Sequence, residues 1–197
     1  MNYLHSIQIG LDARKKHIEI ARKIFLSHPT YAFVGHEETQ FEILNEISEH
    51  FKISISNIQV VGSSKIGESL HKKTRFANKI SDLDIAIIDA NLFIYHTEHV
   101  FSSTKGFSDL TGFSLNRRGI SNHTEYKDYV VKGIFRPDLM PSGPERAEWS
   151  SFFGKLSSKY SAMFKSINAG IYLSQRFFEV KQSSVIKTYI NSKNGGL

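Results

Sequence analysis

The chain has 197 residues, of which 40% are hydrophobic and 22% charged, with a formal net charge of +6 and no cysteine. The apolar fraction suffices for one sizeable core and excludes a disordered chain. The cysteine count excludes disulfides and thiolate metal sites. No apolar run is long enough to span a bilayer, and the start "MNYLHSIQIGLDARKK" lacks the apolar core of a signal peptide. A cytoplasmic protein with no membrane contact is therefore expected. The positive balance favours anionic partners, such as nucleotides or nucleic acid. Composition leaves the oligomeric state open.

Residues 2–27 predict a helix, with Leu4, Ile7, Leu11, Ile18, Ala21 and Phe25 near helical spacing and His28-Pro29 as its stop. "EETQFEILNEISEHF" predicts a second helix with Phe41, Leu44, Ile47 and Phe51 inward, its acids crowding the first turn where the dipole favours them. "SNIQVVG" predicts a short buried strand over 58–61, closed by glycine, and Ser64 is placed to cap a helix over 65–70. "HKKTRFANKIS" is a basic loop, "LDIAII" a second strand, and "NLFIYHTEHVF" a further helix. His96 and His99 share a face of that helix, but no acid constellation beside them points to zinc. Residues 102–128 carry no clear period. "YVVKGIF" predicts a third strand, "MPSGP" a turn, and "ERAEWSSFFGKLSSKYS" a helix with Trp149, Phe152, Phe153 and Leu156 inward. "SINAGIYLS" predicts a fourth strand, "SSVIKTYINS" a last helix, and "KNGGL" a frayed tail. Mixed helices and strands predict an α+β fold.

The chemistry sits in "VVGSSKIGESLHKKTRFANKISDLDIAIID". Side chains alternate across a strand, so Asp82 and Asp84 project to one side while Leu83, Ile85 and Ile87 enter a core. Two carboxylates that close repel unless a cation lies between them. A hard divalent ion, most simply Mg²⁺ with Mn²⁺ as the alternative, resolves the conflict, and Mg²⁺ favours one or two carboxylates plus phosphate oxygens. Gly62 lets backbone amides approach an anion, and Ser63 and Ser64 add hydroxyl donors at the start of a helix. The next residue, Lys65, is a candidate phosphate ligand, as are His71, Lys72, Lys73, Arg75 and Lys79 in the loop.

Apolar-Gly-Ser, a helix, then Asp-x-Asp in an apolar strand resembles the DNA polymerase beta-like nucleotidyltransferase superfamily. The resemblance covers about 30 residues, carried by "VVGSS" and "SDLDIAII". It implies a small mixed sheet flanked by helices, here one domain over 1–197: N-terminal helices 2–51, motif region 58–89, and C-terminal strands and helices 129–192. It also implies two-metal transfer of a nucleoside monophosphate from an NTP to a hydroxyl, with release of pyrophosphate. Carried over, Gly62, Ser63, Ser64 and Lys65 bind the nucleotide and Asp82 and Asp84 the magnesium. The acceptor is an RNA end, a protein hydroxyl, a small molecule or a second nucleotide. Two departures stand out. Eighteen residues separate Ser63 from Asp82, more than in many members. The family also places a third carboxylate on a later strand, and no later strand here carries a plain apolar-Asp-apolar core. Asp138, in "GIFRPDLMP", is the best candidate for that role, ahead of Asp128 and Glu179. Without a third acid the alternative is a nonenzymatic nucleotide- or RNA-binding protein, such as a component of a toxin–antitoxin or defence module.

Overall fold

Four apolar stretches pair into one mixed sheet in the computed structural model, which describes residues 2–194. The strands are β1 (Ile58–Val61), β2 (Leu83–Ile88), β3 (Ile134–Phe135) and β4 (Ile167–Tyr172), in the order β1-β2-β4-β3. β1 and β2 are antiparallel, β2 and β4 parallel, and β3 and β4 antiparallel. The register places Val61 and Asn168 on either side of Asp84.

Around the sheet lie α1 (Tyr3–Asp12), α2 (His17–Ala21), α3 (Glu37–Phe51), α4 (Gly62–Ile66), α5 (Ala90–Ser103), α6 (Asn122–Val130), α7 (Pro144–Lys159) and α8 (Gln175–Asn194). Strand alternation divides the core in two. Ile58, Val60, Leu83, Ile85, Ile87 and Ile171 face α3, α5 and α7. Ala86, Ile134 and Tyr172 face the N-terminal helices and α8. Asp84 shares this second face, because it is two residues from Ala86. The result is an α+β fold with a mixed sheet and N-terminal helices, as the sequence predicts. Among the described residues no helix is long and apolar enough to cross a membrane.

Several expectations need correction. The first helix is broken: α1 ends at Asp12, Arg14 takes a left-handed conformation at φ 52°, and α2 continues into a π-helical turn over Arg22–Ser27. In α3 the buried stripe runs through Ile43 and Ile47, while Phe41 is 56% exposed. The helix after the Gly-Ser turn begins at Gly62 itself, with no side-chain cap, so Ser64 lies inside it. The third strand shrinks to Ile134–Phe135 because Tyr129 and Val130 finish α6, and Gly133 at φ 66° makes the turn. The patternless stretch also contains most of α6, and the last helix starts eight residues earlier than its apolar pattern suggests, at Gln175 rather than Ser183. Of the expected tail, residues 195–197 lie outside the described residues.

Candidate active site

Gly62 follows β1 and opens α4 at φ 69°, a left-handed conformation that L side chains adopt at a cost. A Cβ at this position would stand 2.5 Å from Asp84 Oδ2. The Asp84 carboxylate thus rests directly on the glycine, and the turn and the acid, read separately in the sequence, form one unit. Cross-strand pairing of Val61 with Asp84 creates the approach.

Asp82 precedes β2 by one residue, and its Oδ1 accepts a hydrogen bond of 2.7 Å from Ser166 Oγ. Ser166 Oγ in turn accepts one of 2.9 Å from Asn168 Nδ2. Asp84 sits inside the sheet. Burial first, and repulsion from Asp82 second, push its carboxyl pKa above the ordinary 3.8, while the charge of Lys72 opposes the rise. Two acids close enough to repel, one of them destabilised as an anion, form a pair that gains from a bound cation. The donor set suits Mg²⁺: two carboxylates, leaving positions for phosphate oxygens.

The remaining predicted residues divide. Ser63 is half-buried, and among the described residues its hydroxyl has no hydrogen-bond partner, so it is free to donate to a ligand. Ser64 is fully buried, and its Oγ donates to the Val61 carbonyl at 3.0 Å. Lys65 is 4% exposed, and its Nζ donates to the His28 carbonyl at 2.7 Å. Burial holds its pKa down at about 8. Ser64 thus braces the turn on β1 and Lys65 ties it to the N-terminal segment, and both side chains are buried in the protein.

Asp138 lies on a 3₁₀ turn, Pro137–Leu139, and borders the same cleft as Asp84. Its carboxylate is gripped by Arg136, through Nε at 3.1 Å and through Nη2. Arg136 also donates to Glu125 at 3.0 Å and stacks over Tyr129. Among the described residues no group of three or more His, Cys, Asp or Glu side chains is arranged to hold a metal ion. Glu179 is buried and bound to Arg22 at 2.7 and 2.8 Å and to Gln175 at 2.7 Å. Asp128 lies on the exposed side of α6. His99 pairs with Glu145 at 3.1 Å, and His96 stacks against Phe135 in the core.

Two hollows meet at Asp84. A cleft of about 790 Å³ follows the half of β4 that the short β3 leaves uncovered, from Asp84 and Asn168 to Trp149 and Phe153 of α7. A chamber of about 220 Å³ lies beside Gly62, Leu70 and His71. Asp84, Tyr172 and Lys181 border both.

Asn168, Ser166 and Lys181 were not legible as site residues. The signal for the first two was the polar start of "SINAGIY", where alternation puts Ser166, Asn168 and Gly170 on one face. Comparison with protein-family models, with curated proteins and with solved structures gives no significant match.

Proposed function

We propose that this chain is a divalent-metal-dependent nucleotidyltransferase that moves a nucleoside monophosphate from an NTP to a hydroxyl acceptor and releases pyrophosphate. One observation carries the reading: the carboxylate of Asp84 lies against Gly62, with Asp82 two residues before it at the start of β2. Magnesium held by Asp82, Asp84 and phosphate oxygens would supply charge neutralisation and a lowered pKa for the attacking hydroxyl. The chain's own part is positioning. The glycine backbone and the Ser63 hydroxyl receive phosphate, Ser166 fixes Asp82, and the cleft along β4 admits the acceptor beside Asn168.

A second reading, nucleotide binding without transfer, is favoured by Asn168. It stands beside Asp84 in register, on the later strand where the resemblance calls for a third carboxylate. A neutral amide can neither bind a second metal strongly nor take the acceptor's proton.

The test uses α-labelled NTPs with Mg²⁺ and a cell extract as acceptor source. Labelled product and pyrophosphate, both lost in the Asp82→Ala/Asp84→Ala double variant, are the expected result. Saturable Mg²⁺-dependent binding with no transfer to any acceptor supports the second reading. Transfer undiminished in the double variant refutes the assignment of these acids.

A further inference from the structure

A triphosphate together with the carboxylates of Asp82 and Asp84 carries more negative charge than two divalent ions neutralise, so further cations are called for at its outer phosphates. Lys65, the lysine next to the Gly-Ser turn, is spent on the His28 carbonyl. Two other lysines, on separate elements, lie near Asp84. Lys72 sits at the tip of a tight turn closed by hydrogen bonds from Lys73 N to the Ser69 carbonyl and from Ser69 N to the Thr74 carbonyl, both 2.8 Å. That turn places His71, the neighbour of Lys72, at the wall of the small chamber that Asp84 also borders. Lys181 comes from α8 and borders both hollows. Both lysines are exposed, and among the described residues neither ammonium has a carboxylate or hydrogen-bond partner.

We propose that Lys72 and Lys181 form a clamp on the β- and γ-phosphates of a nucleotide whose α-phosphate lies at Asp82 and Asp84. The proposal rests on the nucleotide reading above. It assigns recognition of phosphate number to a loop lysine and a helix lysine 109 positions apart, the difference of their residue numbers 72 and 181. The basic loop thereby acquires a role in which one of its cations touches substrate and the others need not.

The test measures Mg²⁺-dependent affinity for the mono-, di- and triphosphates of all four nucleosides. In the wild type, affinity rises with phosphate number. Lys72→Met and Lys181→Met each weaken triphosphate binding by about tenfold, as expected for one charge-assisted phosphate contact, and leave the monophosphate nearly unchanged. The double variant flattens the series, and Lys72→Arg and Lys181→Arg restore it. Lys79→Met, an exposed lysine at the other end of the same loop, is the control and changes nothing. Wild-type triphosphate affinity in the double variant overturns the clamp and leaves the nucleotide reading standing. A wild-type chain that binds no nucleotide overturns both. An equal loss in Lys79→Met overturns the clamp in favour of diffuse attraction by the loop.

Discussion

Replacing Gly62 with alanine separates backbone strain from collision at the site. An L residue at φ 69° costs roughly 1–2 kcal/mol for its left-handed conformation. The new Cβ would also stand 2.5 Å from Asp84 Oδ2, whereas an ordinary C···O approach is about 3.3 Å. The carboxylate must therefore retreat by about 0.8 Å, the difference of those two distances. Gly35 is the matched control. Its φ is 80°, and a Cβ there meets nothing within 4 Å, so Gly35→Ala reports the strain alone. The gain from a less flexible unfolded chain applies to both variants and cancels in the comparison. At about 2–4 °C per kcal/mol for a chain of this size, Gly35→Ala lowers Tm by about 2–8 °C, and Gly62→Ala lowers it further. A shift of nearly 1 Å in a reacting group is worth on the order of 100-fold in rate. Thermal unfolding and Mg²⁺-dependent NTP turnover are measured on both variants. Gly62→Ala should lose about 100-fold in turnover while Gly35→Ala retains wild-type activity. Equal Tm losses with equal turnover would refute the contact between Gly62 and Asp84 as the core of the site.

Three further outcomes test the same geometry. Lys65 folds with its pKa at about 8, below the ordinary 10.5, so the unfolded chain binds more protons between those values. Its contribution to stability is least favourable below pH 8 and improves as pH rises toward about 10.5; Lys65→Met should flatten that slope in denaturant midpoints taken across the window. The folded pKa of Asp84 is raised, so its contribution is most favourable at low pH and is lost as pH rises through that value. Asp84→Asn should raise Tm at pH 7 without metal while removing Mg²⁺-dependent nucleotide binding, and a lowered Tm would contradict the charge balance assigned to this acid. Asn168→Asp adds a third acid beside Asp84 and removes the amide hydrogen bond to Ser166. The metal-free Tm should fall and the Tm gain on adding Mg²⁺ should grow; an unchanged gain would mean that the two positions do not share a metal.

What the sequence revealed about the fold and the site followed from local periodicity. Period-two alternation places Asp82 and Asp84 together, and a glycine before two serines marks the turn, because both features depend on a few adjacent residues. The fate of Lys65 depends instead on a carbonyl 37 positions away. A lysine stem can lie along apolar surface while its ammonium finds one acceptor, so nothing in "GSSKIGES" distinguishes a phosphate ligand from a brace. The run "YVVKGIF" kept only its last two residues as a strand for a related reason: a short apolar run fits a helix end as well as a strand, and Gly133 divides the two by its conformation. Asp138 looked available because it follows a proline in a turn, but Arg136, two residues earlier, turns back and takes both of its oxygens. Asn168 stayed hidden because its meaning depends on register, and a parallel pairing with β2 is set by packing across some eighty residues of intervening chain.

The two aspartates have unequal environments. Asp82 stands before the first paired residue of β2, and its charge is already eased by the Ser166 hydroxyl. Asp84 is fixed within the ladder, between Val61 and Asn168, and its carboxylate is pressed on Gly62. Sheet geometry holds Asp84 where it is, so relief of its charge must come from outside the backbone. Lys72 supplies part of that relief at a distance, and a cation between the two acids would supply the rest. On the metal reading, Asp84 is the residue whose energy changes most on loading, and Asp82 is the arm that closes on the ion. Freeing Asp82 by Ser166→Ala should then weaken metal-dependent nucleotide binding only modestly, whereas removing the Asp84 carboxylate should abolish it. That asymmetry follows from strand pairing alone, and it distinguishes a built metal site from two acids that share a face by chance.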